Sequence, residues 1–337
     1  MNRKDDHINS ALKNQDTLNH FDHVRFIHHP LSQLKVDDID LSAVFIGKTY
    51  QLPFFINAMT GGSKQAKAMN EKLALIAKHF NIPLALGSIS TALNNPKWED
   101  DFKIARTLYK EGTILANLGA EHSINNALKG IAIIQANALQ IHLNNVQEIV
   151  MPEGDRDFKN HYNNLKKLNN TLDVPLIVKE VGFGMSFETL KQLKSIGIKH
   201  VDVAGKGGTN FSKIENNRRT SSYDFFNEWG QSTVESLLEA SKVEDLNIYA
   251  SGGIRNALDI IKALRLGATF VGMSGWFLKI VKDNTLEDAI KEVEHLIAAL
   301  KGIMCVLDAR DLNKLKEKPI VFSPLLKNYM DQRAIKF

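Results

Sequence analysis

One cysteine among 337 residues, Cys305, excludes an internal disulfide and any multi-cysteine zinc site. Its setting, the apolar run IMCVL, reads as buried core. No apolar run is long enough to cross a bilayer, and the N-terminus MNRKDDHINSALKNQ lacks the hydrophobic centre of a secretory signal. A cytoplasmic protein without a membrane partner is expected. Charge of one sign is scarce as well. The 42 basic and 38 acidic residues leave a net +4, and no basic stripe is interleaved with aromatics, so nucleic acid is not an expected partner. A small anionic ligand stays compatible with this balance. The basic run Lys213 to Arg219, which also holds Glu215, reads as a mobile, solvated loop. No low-complexity linker or shift in composition divides the chain.

What the chain does contain is a recurrence: a short run of β-formers, then a longer segment with apolar residues three and four apart. The strand candidates are Pro53–Ala58, Leu84–Gly87, Thr113–Asn117, Ala138–His142, Leu176–Val181, His200–Ala204, Asn247–Ser251 and Thr269–Met273. Helical stripes lie between them, such as Leu73, Ile76, Ala77 and Phe80, or Ala257, Ile260, Ile261 and Leu264. Gly197 and Gly267 follow helical runs and precede strands, as C-terminal caps do. Eight βα units predict an α/β fold, a TIM (β/α)8 barrel, with an N-terminal extension over residues 1–50 and the barrel with its C-terminal tail over 51–337. A doubly wound sheet fits less well. Gly61–Gly62 follow the first strand without GxGxxG spacing, and the richer glycine clusters come late.

Those late clusters are Ser251-Gly252-Gly253-Ile254-Arg255 after the seventh strand and Gly272-Met273-Ser274-Gly275 at the eighth. Loops at these two places in a barrel commonly hold phosphate on backbone N–H groups and a helix N-terminus, with Arg255 suited to a charge-assisted contact. The alternative is tight turns that need glycine for geometry alone. A phosphate here suits flavin mononucleotide. Ala58-Met59-Thr60-Gly61-Gly62, Ser88 and Asn117 end the first three strands, where a flat ring with a polar edge would lie. Lys179, inside the fifth strand, needs an anionic partner if it points inward. That partner is either the flavin's pyrimidine edge or a carboxylate such as Glu180 or Asp202. Gly205-Lys206-Gly207-Gly208-Thr209-Asn210 is a third loop suited to an anion.

The densest polar cluster is LQIHLNNVQEIVMPEGD, residues 139–155. His142, Asn144, Gln147, Glu148, Glu153 and Asp155 crowd the end of the fourth strand, the end at which barrels place ligands. They either bind something or cap the next helix.

Together these motifs resemble one family, the flavin-dependent type 2 isopentenyl-diphosphate isomerases. The match includes RKDDHI (Arg3–Ile8), NAMTGG (Asn57–Gly62), NLG (Asn117–Gly119), HLNNVQE (His142–Glu148) and PEGD (Pro152–Asp155). It continues through VKEVGFG (Val178–Gly184), AGKGGTNF (Ala204–Phe211), WGQST (Trp229–Thr233), SGGIR and GMSG. The resemblance implies interconversion of isopentenyl and dimethylallyl diphosphate in isoprenoid biosynthesis, with reduced FMN, Mg²⁺, and NADPH to reduce the flavin. It implies that Arg3, Lys4, His142, Asn144 and Gln147 face the substrate and that Glu148 holds the metal. His7 joins Arg3 and Lys4 in a basic cluster fit for the diphosphate, and Trp229 would either wall the hydrocarbon tail or be core. Gln147, Glu148 and His142 are the candidates nearest the chemistry. For FMN it implies Ala58, Met59, Thr60, Ser88, Asn117, Lys179, Thr209, Gly253, Ile254, Arg255, Ser274 and Gly275. It also implies a homo-oligomer, tetramer or octamer. One departure is Ile89-Ser90, where many members carry Gln-Arg.

Three rival readings share parts of this pattern. FMN-dependent oxidases or dehydrogenases of 2-hydroxy acids resemble the chain at SGGIR but need a histidine base between strands six and seven, and Val201 to Glu294 contains no histidine. A barrel acting on inosine monophosphate needs a loop cysteine, and Cys305 lies beyond the eighth strand. A non-catalytic flavin binder would leave the His142–Glu148 cluster without purpose.

Overall fold

The computed structural model describes residues 19–59 and 64–337. Arg3, Lys4, His7, Thr60, Gly61 and Gly62 lie outside the described residues. The first described strands are β1 (Val24–Phe26), β2 (Ala43–Phe45) and β3 (Lys48–Tyr50). Eight strands then alternate with helices: β4 (Phe54–Ile56), β5 (Leu84–Ala85), β6 (Ile114–Gly119), β7 (Ala138–His142), β8 (Leu176–Lys179), β9 (His200–Asp202), β10 (Asn247–Ala250) and β11 (Phe270–Met273). All eight pair in parallel and close on themselves as β10-β11-β4-β5-β6-β7-β8-β9, a (β/α)8 barrel. A last strand, β12 (Ile320–Phe322), runs antiparallel to β1.

Each expected barrel strand overlaps an observed one, and most observed strands stop early. At their C-terminal ends the backbone leaves the ladder and its N–H groups turn to side chains. Ala58 N–H donates to Asn57 Oδ1 at 2.8 Å, Val181 N–H to Glu180 Oε2 at 2.6 Å, and Ala204 N–H to Asp202 Oδ1 at 3.2 Å. β6 runs on to Gly119 instead, because it stays paired with β7 as far as His142.

Because side chains alternate along a strand, the barrel interior fills in layers. The lower layer is apolar: Phe55, Ala85, Leu115, Ala138, Ile177, Tyr249 and Phe270 meet there. Two residues further along β4, β6, β7, β8 and β10 the inward positions are Asn57, Asn117, Gln140, Lys179 and Ser251, with Asp202 of β9 beside Lys179, all buried and all polar. The β2–β3 hairpin plugs the lower end. Phe45 is fully buried, with its ring centroid 5.1 Å from Phe55, 4.8 Å from Tyr249 and 4.9 Å from Phe270. Part of the N-terminal extension therefore closes the barrel at the end opposite the glycine loops, and β1 fastens the extension to the C-terminal segment.

Two expectations fail. The run Lys213 to Arg219 is not a solvated loop. Its first half is the end of a helix, Phe211–Asn216, and Glu215 is fully buried against Arg218. Cys305 is half-buried on the helix Leu286–Val306, not enclosed, and its thiol lies 3.2 Å from the Leu34 carbonyl.

Candidate functional site

The polar layer is the floor of a site at the C-terminal rim of the barrel. Apart from Lys179, its side chains form one continuous chain of hydrogen bonds that extends to His142. His142 Nδ1 lies 2.9 Å from Asn117 Oδ1; Asn117 Nδ2 donates to Gln140 Oε1 at 3.2 Å. Gln140 Nε2 donates to Asn57 Oδ1 at 3.1 Å, and Asn57 Nδ2 to Asp202 Oδ2 at 2.7 Å. Ser251 Oγ and Ala204 N–H donate to the other Asp202 oxygen at 2.7 and 3.2 Å. The strand register makes this possible, setting Asn117 beside Gln140, His142 beside Lys179 and Lys179 beside Asp202. Gly272 leaves room for it, since a Cβ there would stand 2.7 Å from Asn57 Nδ2.

Lys179 points into this layer and is buried. Its ammonium donates to the Glu180 carbonyl at 2.6 Å, and no carboxylate among the described residues comes within ion-pair distance. Burial lowers its pKa, opposed by the negative charges of Asp202 and Glu180. Burial likewise raises the Asp202 carboxyl, opposed by Lys179 and the donors around it. Neither Glu180 nor Asp202 is thus the direct partner that a purely structural role for the lysine requires. Glu180 is engaged elsewhere: one oxygen receives the N–H groups of Val181, Gly182 and Phe183 at 2.5–2.7 Å, and burial still pushes it up to about 7.

Beside this floor two glycine loops pack back to back. A Cβ on Gly252, whose φ is +91°, would overlap the Gly205 carbonyl oxygen, and one on Gly208 would stand 2.7 Å from the Gly253 nitrogen. Only glycine permits that approach. Thr233 Oγ1 donates to the Ser251 and Gly252 carbonyls at 2.8 and 2.7 Å, and Asn19 Nδ2 to the Gly207 and Gly253 carbonyls at 3.3 and 2.6 Å. With carbonyls tied down on the protein side, the loops are held as backbone cradles. Nearby the helix Gly275–Asp283 starts directly from β11, and Ser274 makes no side-chain cap, so its first N–H groups remain without that partner. Arg255 behaves differently from the expected phosphate contact. Its guanidinium pairs with Asp22 and Asp259 at 2.6 and 2.8 Å, and its N–H donates to Asp259 at 3.1 Å.

On the other side of the rim stands the short helix Asn145–Val150. Asn144 Nδ2 and Asp155 N–H donate to the two oxygens of Glu148 at 2.8 and 2.7 Å. Gln147 Nε2 donates to Glu215 Oε1 at 3.2 Å. Arg218 joins Glu215 at 2.5 Å and also pairs with Glu153. No group of three or more His, Cys, Asp or Glu among the described residues is disposed to hold a metal. Ala58 packs on the inner apolar layer and Met59 on the outer core, while Thr209 and Ile254 flank the glycine loops. Ser88 Oγ donates to Ser90 Oγ at 3.0 Å, and Ile89 is buried. Trp229 is 57% exposed, with its ring edge on Phe226, so it is not core.

The described residues expected from sequence thus stand at or just beyond the C-terminal ends of the barrel strands, Met59 packed on the outer core and Arg255 engaged with Asp22 and Asp259. Gln140, Asn57, Asp202, Ser251, Asn19 and Glu215 were not singled out as site residues, although Asp202 was named as a possible partner of Lys179 and Ser251 as part of a glycine cluster. For the first three a signal existed: a lone polar residue at an inward position of an otherwise apolar strand.

Comparison with known proteins agrees with this geometry. A family model described as FMN-dependent dehydrogenase matches residues 125–282. The chain is 47% identical over 337 residues to an isopentenyl-diphosphate delta-isomerase of Latilactobacillus sakei, covering 99% of this chain and 96% of that protein. It is 45% identical over 336 residues to the enzyme of the same name from Staphylococcus aureus strain JH9, with the same coverage. In fold it is similar to flavocytochrome b2, with TM-scores of 0.70 and 0.69 at 17% identity, over 96% of this chain and 84% and 87% of those chains. A mandelate oxidase is similar at TM-score 0.61 and 13% identity, over 93% of this chain and 92% of that one.

Proposed function

The chain belongs to the isopentenyl-diphosphate delta-isomerase family, and on that premise we propose how the residues of its rim divide the work. The reaction interconverts isopentenyl and dimethylallyl diphosphate, moving a C=C bond by adding a proton at one carbon and removing one from another. Reduced FMN, when bound, would supply electron density and a proton-carrying group for this transfer. The residues present fit that group. Lys179 is a buried cation lacking a direct carboxylate partner, Asn117 and Ser88 offer polar contacts to a ring edge, and the Gly205–Gly208 and Gly252–Gly253 cradles with the helix N-terminus at Gly275 suit its phosphate. Arg255 contributes by bracing the Gly252–Gly253 turn through Asp22 and Asp259. NADPH is the reductant in this reading, on the strength of the family resemblance.

His142, Asn144 and Gln147 bind the substrate from the β7 side, with Arg3, Lys4 and His7 closing over its diphosphate. Trp229 covers the hydrocarbon tail and excludes water. Glu148 is a lone carboxylate with one donor on each oxygen and acceptor capacity left. That suits Mg²⁺ arriving with the diphosphate, because this ion keeps waters and rarely has an all-protein cage. A cytoplasmic homo-oligomer completes the reading. No helix among the described residues is long and apolar enough to cross a membrane. The 2-hydroxy-acid reading rests on fold likeness alone, and the stretch 201–294, from β9 past β11, still offers no histidine base.

The carrying observation is that one rim holds both a cation-bearing polar floor and the glycine cradles. The test is anaerobic turnover of isopentenyl diphosphate by FMN-loaded protein with Mg²⁺, with and without reductant, detecting dimethylallyl diphosphate. Product only with reduced flavin is expected; no product from verified holoenzyme would overturn the reading.

A further inference from the structure

Asn19 belongs to the N-terminal extension and not to the barrel, yet its side chain is buried against the two glycine loops. Oδ1 accepts the Phe21 N–H at 3.0 Å, and Nδ2 donates to the Gly253 and Gly207 carbonyls at 2.6 and 3.3 Å. A carbonyl only accepts and an N–H only donates, so the amide satisfies these three partners one way round. The residues that follow hold it in place. The 3-10 turn His20–His23 buries Phe21, whose carbonyl accepts from Lys262 Nζ at 2.7 Å, and Asp22 pairs with Arg255 at 2.6 Å. The carbonyls that Asn19 holds sit in backbone that glycine leaves free to turn over. The Gly207–Gly208 peptide has glycine on both sides, and Gly253 stands at φ +72°. Thr233 secures other carbonyls, those of Ser251 and Gly252, and no second donor among the described residues reaches the Gly253 carbonyl.

A trans peptide sets its N–H opposite its C=O. Drawing the Gly207 and Gly253 oxygens towards Asn19 therefore turns the N–H groups of Gly208 and Ile254 away from it. Neither of these N–H groups makes a hydrogen bond among the described residues. Oriented backbone N–H groups on adjacent loops are donors suited to an anion. We propose that Asn19 is a positioning residue that aims the Gly208 and Ile254 N–H groups at the phosphate of a bound flavin, and so gives the protein its preference for a phosphorylated over an unphosphorylated flavin. This rests on the flavin reading above and deepens it. Control of the phosphate site passes to a residue 188 and 234 positions from the two loops, in the extension that precedes the barrel.

Two variants test it. Asn19→Ser keeps an oxygen able to cap Phe21 but is too short to hold the two carbonyls. Asn19→Asp keeps the shape and sets an oxygen against both. Full-length protein stripped of flavin is titrated with FMN and with riboflavin, which lacks the phosphate, and the ³¹P spectrum of FMN-saturated protein is recorded. The FMN dissociation constant is expected to rise roughly tenfold in Asn19→Ser, the effect of one or two lost hydrogen bonds, and further in Asn19→Asp. Riboflavin affinity should stay at the wild-type value. The bound ³¹P signal should move towards that of free FMN while the flavin's visible absorption is unchanged. Equal weakening of both flavins would overturn the proposal, since it would mark a general loosening of the fold. Unchanged FMN affinity with an unmoved ³¹P signal would overturn it too. If riboflavin binds too weakly to titrate, the ³¹P signal decides, and if one variant fails to fold, the other does. Wild-type protein that binds no FMN would sink the flavin reading itself; wild-type protein that binds it, with no phosphate-specific loss in the variants, sinks this inference alone.

Discussion

Replacing Lys179 with methionine keeps its length and apolar stem and deletes only the charge. Two losses follow, and they are separable. The first is to the fold. Asp202, fully buried, sits one strand away and relies on the lysine for opposite charge. Stranding a buried charge costs on the order of 3–5 kcal/mol, less whatever Asp202 recovers by taking up a proton. The second is to the flavin. Lys179 Nζ makes one hydrogen bond, to the Glu180 carbonyl, which leaves donors to aim at an anionic edge. One or two charge-assisted hydrogen bonds at ~1.5–3 kcal/mol each would raise the FMN dissociation constant between roughly tenfold and roughly 10⁴-fold. The assays are thermal unfolding of the flavin-free protein and fluorescence titration with FMN. The double variant Lys179→Met with Asp202→Asn separates the effects: stability should return towards wild type, while FMN affinity should stay low. If the double variant binds FMN with wild-type affinity and absorption, the lysine only neutralises Asp202 and the reasoning is refuted.

Other perturbations reach the remaining parts of the site. Glu148→Gln should lower Mg²⁺-dependent turnover by on the order of 10²-fold, the several kcal/mol a metal contributes to charge stabilisation, while the bound flavin spectrum stays normal; intact turnover would remove Glu148 from the metal. Gly252→Ala forces a Cβ into the Gly205 carbonyl at φ +91°. It should cost ~1–3 kcal/mol of backbone strain and abolish FMN retention, and a variant purified yellow at wild-type occupancy would contradict the cradle. Arg333→Met removes the 2.6 Å partner of Glu239, whose folded pKa lies below its ordinary value although burial, the largest influence, pushes it up. With the arginine, Glu239 contributes stability that is present above the unfolded carboxylate range and lost as pH falls through the folded value. Without it burial dominates, the shift reverses, and the penalty appears as pH rises. The variant should lose about 3 kcal/mol near pH 7.5 and much less near pH 4, so an equal loss at both pH values in denaturant titrations would show the pair to be inert.

How far the sequence discloses such a site depends on the physics of each part. The eight strands are legible because parallel barrel strands are buried on both faces and stand out as short apolar runs between helical periodicities. Their ends are less so, since Asn57, Glu180 and Asp202 draw the backbone N–H groups out of the ladder just where hydrophobicity still predicts strand. The glycine loops are legible as positions, but not as a contact: Gly252 lies on Gly205, 47 positions earlier in the chain. The Lys213–Arg219 run misleads because a charge count carries no partner. Glu215 is buried with Gln147 and Arg218 among the groups that meet it. The polar layer is the instructive case. Asn117 and Lys179 stand out singly in their strands, and so does Gln140 once inward positions are counted by twos from Ala138. What no single strand reveals is that six strands place such residues at one height, because strand register is set by closure of the whole barrel. A lone buried glutamine is costly. At one level five of the six polar groups, all but Lys179, bond one another, and the cost of burying them is met by a chain of hydrogen bonds that reaches the ring of His142.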